Sequence, residues 1–189
     1  MRFAPVALHP HPARPAGPLR GLTASGGIGP GGRMQFEFEL HGDLDSIRIE
    51  KPAGRPQRRH ELWRHTCFEC FAAPGADPRY LELNFSTSGD WAAYAFAGYR
   101  ERRADLGTTR VAVAARNLGR EALQVDVEAG LDAAWVAGPD APPGAAWRLN
   151  IAAVIEDIDG TLSYWAVHHP RPAPDFHDRA GFRVALPSA

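Results

Sequence analysis

The segment Glu61-Leu62-Trp63-Arg64-His65-Thr66-Cys67-Phe68-Glu69-Cys70-Phe71 holds the residue types most suited to chemistry in this chain. Its pattern predicts one long strand, Leu62 to Phe71. Side chains an even number of positions apart share a face of a strand. Trp63 and Glu69 are therefore expected on one side of a sheet, with His65 and Cys67 between them. An indole face packs against C–H bonds and a nearby carboxylate accepts hydroxyl protons, so the pair suits a hydroxyl-rich small molecule.

Glu82 and Asn84 share one face of the next expected strand and, with Glu69, make a candidate hydrogen-bonding floor. The competing reading is a solvated face, or ion pairs with Arg64, Arg79 or Arg148. Glu69 and Glu82 are also the kind of carboxylate pair that glycosidases use. Nothing in the sequence tunes one as acid and the other as base, so no catalysis is expected. Serine-nucleophile motifs and phosphate-binding glycine loops are absent.

His9, His11, His60, His65, His168, His169 and His177, with Asp175, invite a metal reading. A catalytic zinc needs three protein ligands in fixed geometry. Adjacent His168 and His169 face apart in a strand, so no metal and no cofactor is expected. His168 and His177 are read as stabilising loop structure. Glu156, Asp157 and Asp159 hint at calcium, but the loop is too short for an EF-hand, and Asp159-Gly160 already reads as a hairpin turn. Cys67 and Cys70 would lie about 10 Å apart on opposite faces, too far for a disulfide.

The positioning elements are β throughout. Alternation predicts strands over Met34 to His41, Ser46 to Glu50, Arg79 to Thr87, Trp91 to Phe96, Arg110 to Ala115, Leu123 to Glu128, Trp147 to Ile155, Ser163 to His168 and Phe182 to Leu186. Pro139 to Gly144 and Pro170 to Asp178 read as surface loops. Residues 1–32 are rich in Pro, Gly and His, which predicts an extended arm with an edge strand around Gly21 to Ala24. Residues 33–189 then form the main body. The expectation is an all-β, antiparallel β-sandwich of about ten strands, jelly-roll-like, in a single domain.

A net charge of −1 lacks the basic surplus a nucleic-acid binder needs. No apolar run reaches the roughly 20 residues of a membrane helix. Prolines break the N-terminal segment before any secretory apolar stretch can form, so a cytoplasmic location is expected.

The segments Leu62 to Phe71, Tyr80 to Ser86, Gly89 to Tyr94, Tyr164 to Pro170 and Pro174 to His177 together resemble the DOMON-like domains related to type 9 carbohydrate-binding modules. The resemblance runs from about His9 to Leu186. It implies a non-catalytic module that holds a terminal sugar between two tryptophans, here Trp63 and Trp165. It further implies hydrogen bonds from Glu69 and Asn84, with Arg148 as an added candidate. Glu82 stands where such sugar binders would carry a donor such as Arg. Other relatives hold haem through Met or His, an arrangement this chain, with Met1 and Met34 alone, supports poorly. The alternative to a sugar is a protein partner lying over the same aromatic face.

Overall fold

The computed structural model describes residues 1–14, 16–75, 77–106, 108–131 and 146–186. The loop expected at 139–144 lies outside the described residues. Twelve strands form: β1 (Arg2–Pro10), β2 (Leu19–Ile28), β3 (Arg33–Gly42), β4 (Cys67–Pro74), β5 (Tyr80–Ser86), β6 (Trp91–Gly98), β7 (Glu101–Asp105), β8 (Thr108–Asn117), β9 (Ala122–Leu131), β10 (Trp147–Glu156), β11 (Leu162–Ala166) and β12 (Val184–Leu186). Among the described residues the only helical elements are single 3-10 turns, and no helix is long and apolar enough to cross a membrane.

The period-two pattern drives these strands. Met34, Phe36, Phe38 and Leu40 of β3 are buried, while Gln35 and Glu37 between them are exposed. The ladder order is β7-β6-β5-β4-β10-β11-β1-β2-β3-β9-β8, with β12 attached to β10. Every ladder is antiparallel. The path turns at β1. Residues Arg2 to Leu8 pair with β2, then His9 and Pro10 pair with Ala166 and Trp165 of β11. The two halves share one apolar core, in which the Phe38 ring of β3 meets the Phe68 ring of β4 at 4.8 Å.

The all-β, antiparallel, single-domain expectation therefore holds, with twelve strands among the described residues instead of about ten. Residues 1–32 are not an arm: they supply β1 and β2, in the middle of the ladder. The prolines argued against a strand here, but the β1–β2 register shifts between Phe3 and Val6, and that irregularity accommodates Pro5. Ser46 to Glu50 is also not a strand. Leu44–Ser46 is a 3-10 turn, and Ile47 forms only an isolated bridge to Asp157. The strand expected from Leu62 starts five positions later, at Cys67.

Close approach of β1 to β2 explains Gly27. A β-carbon there would lie 2.0 Å from the Met1 carbonyl oxygen and 2.7 Å from Arg2 Cα. Both contacts are with backbone, so Gly27→Ala must push β1 away from β2. A loss of about 3 kcal/mol in unfolding free energy is expected, read as a shifted urea midpoint. An unchanged midpoint would rule out this reading of the seam.

Candidate functional site

Strand β4 is buried on both faces. Phe68, Cys70 and Ala72 face the shared core. Cys67, Phe71 and Ala73 belong to a second apolar cluster with Tyr80, Tyr94, Phe96, Phe176 and Phe182. This outer face is covered because the segment around His60–Trp63 and the loop Pro174–His177 fold over it. Between them lies a cleft of about 760 Å³. Glu69, Phe71 and Glu82 pave it, Tyr94 and Phe96 of β6 and Tyr164 of β11 flank it, and Trp63, Arg14, Arg100 and Arg102 stand around it.

Glu69 and Glu82 are 3% and 6% exposed. Glu69 sits directly opposite Asn84 in the β4–β5 register, which makes Glu82 its diagonal neighbour on the same face. Glu82 Oε1 accepts a hydrogen bond from Asn84 Nδ2 at 2.8 Å, and its Oε2 lies 3.7 Å from His177 Nε2. Glu69 Oε1 has no partner. Burial raises both carboxyls, Glu82 to about 7 and Glu69 well above its usual range, and the Glu82 charge lifts Glu69 further. The opposing effects on Glu82 are the Asn84 hydrogen bond and the charges of Arg102 and Arg100.

His177 is held neutral. Burial, aided by the Arg100 charge, lowers it to about 4. Arg100, in a left-handed backbone conformation at φ 56°, points its N–H at Tyr80 Oη at 3.0 Å. Tyr80 Oη in turn lies 2.8 Å from His177 Nδ1. His177 Nε2 faces Glu82. The Asp175 carboxylate fixes this loop by accepting from Tyr99 Oη at 2.5 Å, Arg100 Nη2 at 3.0 Å and His177 N at 3.1 Å. Arg102 stacks over Tyr94 at 4.0 Å and pairs with Asp105.

The structure separates the residues expected to act together. Trp63 stands at the cleft, 44% exposed, in the 3-10 turn Leu62–Arg64 that follows Glu61 at φ 60°. Glu69 and Glu82 lie on the cleft floor. Asn84 is fully buried beside them and acts on the cleft through its bond to Glu82. Trp165 is elsewhere: 2% exposed in the shared core, opposite Ala153, with Nε1 donating to Ser163 Oγ at 3.0 Å. The expected sandwich of Trp63 and Trp165 therefore does not form. In β11 it is Tyr164 that faces the cleft. Arg148 is exposed near Arg179 and Arg183 and takes no part in the cleft.

Sequence reasoning missed Phe71, Tyr94, Phe96, Arg100, Arg102, Tyr164 and the role of His177. The even spacing of Phe71 from Glu69, and of Tyr94 from Phe96, was the available signal for part of this set. Arg102 carried none, because β7 has no apolar alternation, and Arg100 lies in the turn before it.

Among the described residues no group of three or more His, Cys, Asp or Glu is placed to hold a metal ion. His65 Nδ1 is 2.8 Å from Glu156 Oε2. Cys67 and Cys70 are free and buried, and burial raises both thiols.

No protein-family model matches the chain, and no curated protein matches it. Among solved structures, a candidate carbohydrate-binding protein from Bacteroides uniformis ATCC 8492 is similar in fold. Its TM-score is 0.60 at 16% identity, over 86% of this chain and 76% of that one.

Proposed function

We propose that this chain is a non-catalytic module that binds a small hydroxylated ligand, a carbohydrate end group, in the cleft above β4 and β5. The observation that carries this reading is Glu69: a carboxyl on the cleft floor, almost fully buried, whose Oε1 has no hydrogen-bond partner. Leaving a buried polar atom unpaired costs about 1–3 kcal/mol, and a ligand donor relieves it. Trp63 and Tyr164 offer ring faces around that floor, as sugar C–H groups require. The likeness in fold to a candidate carbohydrate-binding protein and the resemblance to DOMON-like domains support the same ligand class.

Titration calorimetry against mono- and disaccharides tests the reading. At least one sugar is expected to bind, and Trp63→Ala is expected to weaken it about 5- to 10-fold, the worth of one lost stacking face. Silence across the panel, with Trp63→Ala indistinguishable from the parent, sinks the proposal. A protein partner over the exposed Trp63 and Tyr99 is then the reading that remains.

A further inference from the structure

The buried acids of this fold fall into two groups. Glu156 is met by Arg48 and His65, each at 2.8 Å. Asp90 accepts from Gln57 N and faces Arg59, and Asp178 accepts from Ala180 N and pairs with Arg171. Glu82 has Asn84 and His177. Glu69 alone among these has no partner at Oε1, and the only effects on its carboxyl are burial and the neighbouring Glu82 charge. A carboxylate taken out of water needs a cation or several donors to be ionised there.

Two of the three arginines at the cleft are committed elsewhere. Arg100 is held by Asp175, and Arg102 by Asp105 and the Tyr94 ring. His177 is neutral, with Nε2 turned to Glu82. Cys67, on the same face of β4, is a neutral thiol and offers no charge. Arg14, His60 and Glu61 line the same cleft, and none of them makes a hydrogen bond or ion pair with Glu69. The cleft thus presents a buried carboxyl, Glu69, with no described cation in contact with it, beside the rings of Trp63 and Tyr164, whose faces attract positive charge.

We propose that the cleft is shaped for a ligand bearing a protonated amine, an amino sugar in chemical class, whose ammonium group pairs with Glu69 while its ring lies against the aromatic wall. This rests on the carbohydrate reading above and narrows it. A hydroxyl gives Glu69 one hydrogen bond, whereas an ammonium gives up to three and the missing charge. The proton balance follows. In the empty cleft the Glu69–Glu82 pair retains a proton. When the ammonium enters, the pair ionises and that proton passes to solvent, with no covalent bond made or broken.

The test is calorimetry near neutral pH with glucosamine, glucose and N-acetylglucosamine, repeated in buffers of different ionisation enthalpy. Glucosamine is expected to bind about tenfold or more tightly than the other two, with release of up to one proton per ligand, while glucose releases none. Glu69→Gln is expected to bring the affinity ratio of glucosamine to glucose close to one and to abolish the release. Glucose or N-acetylglucosamine binding as tightly as glucosamine overturns the amine proposal and leaves the carbohydrate reading standing. Glucosamine binding without proton release overturns it as well. No binding by any of the three removes the carbohydrate reading and this inference with it.

Discussion

Trp165→Ala is expected to destabilise the fold by about 3–5 kcal/mol, the cost of deleting a large aromatic side chain from a packed core. Its indole lies in the core shared by both halves of the ladder, and its Nε1 hydrogen bond to Ser163 would be lost too. Trp63→Ala is the contrast. Trp63 is exposed in a turn anchored by the buried Leu62, so its removal should change stability by no more than about 0.5 kcal/mol. Urea unfolding of the two variants separates them. Similar midpoints would mean that both rings share one environment after all.

The second large effect is on pH dependence. Glu82→Gln is expected to gain stability over the parent as pH rises, by about 3 kcal/mol between pH 4.5 and 8. The folded-state value for Glu82, about 7, is above its ordinary 4.5. A raised carboxyl contributes stability fully below 4.5 and loses that contribution as pH climbs through about 7. Glu69 is pushed the same way and adds to the decline. His177 acts in the opposite sense. It is lowered to about 4 from 6.5, so its contribution is present above 6.5 and is lost as pH falls towards 4. The parent's curve is therefore flattened below pH 6.5, and the difference between parent and variant reports Glu82 together with its effect on Glu69. The glutamine keeps an oxygen for the Asn84 amide but has no charge to desolvate. A parent–variant difference that stays constant with pH contradicts this account.

How much of this was legible in the sequence depended on what alternation can and cannot encode. Phe36, Phe38 and Leu40, like Leu81, Leu83 and Phe85, announced strands and their core faces, because one side of each carries only large apolar groups. Strand β1 was hidden by its prolines, and β7, Glu-Arg-Arg-Ala-Asp, by having no apolar face. At the site, the pairing of Trp63 with Glu69 assumed an unbroken strand. Glu61 at positive φ and the 3-10 turn after it place Trp63 beside the same cleft by a different route. Parity defeated the reading of Trp165. In β11 a tyrosine and a tryptophan alternate, and both faces of the sheet are covered, so side-chain type does not tell which one points to the core. Only the register, with Trp165 opposite Ala153 and Tyr164 opposite Val154, decides it.

The way β1 serves both halves of the ladder bears on how the molecule is made. Its closing partner, β11, is synthesised near the other end of the chain, so a growing polypeptide can zip β1 to β2 at once yet must wait for Ala166 to seal the seam. Joining such distant segments is entropically slow. Until that ladder forms, the hydrogen-bonding edge at His9 and Pro10 is open, and a ribosome-bound chain carries half of its architecture without a lid.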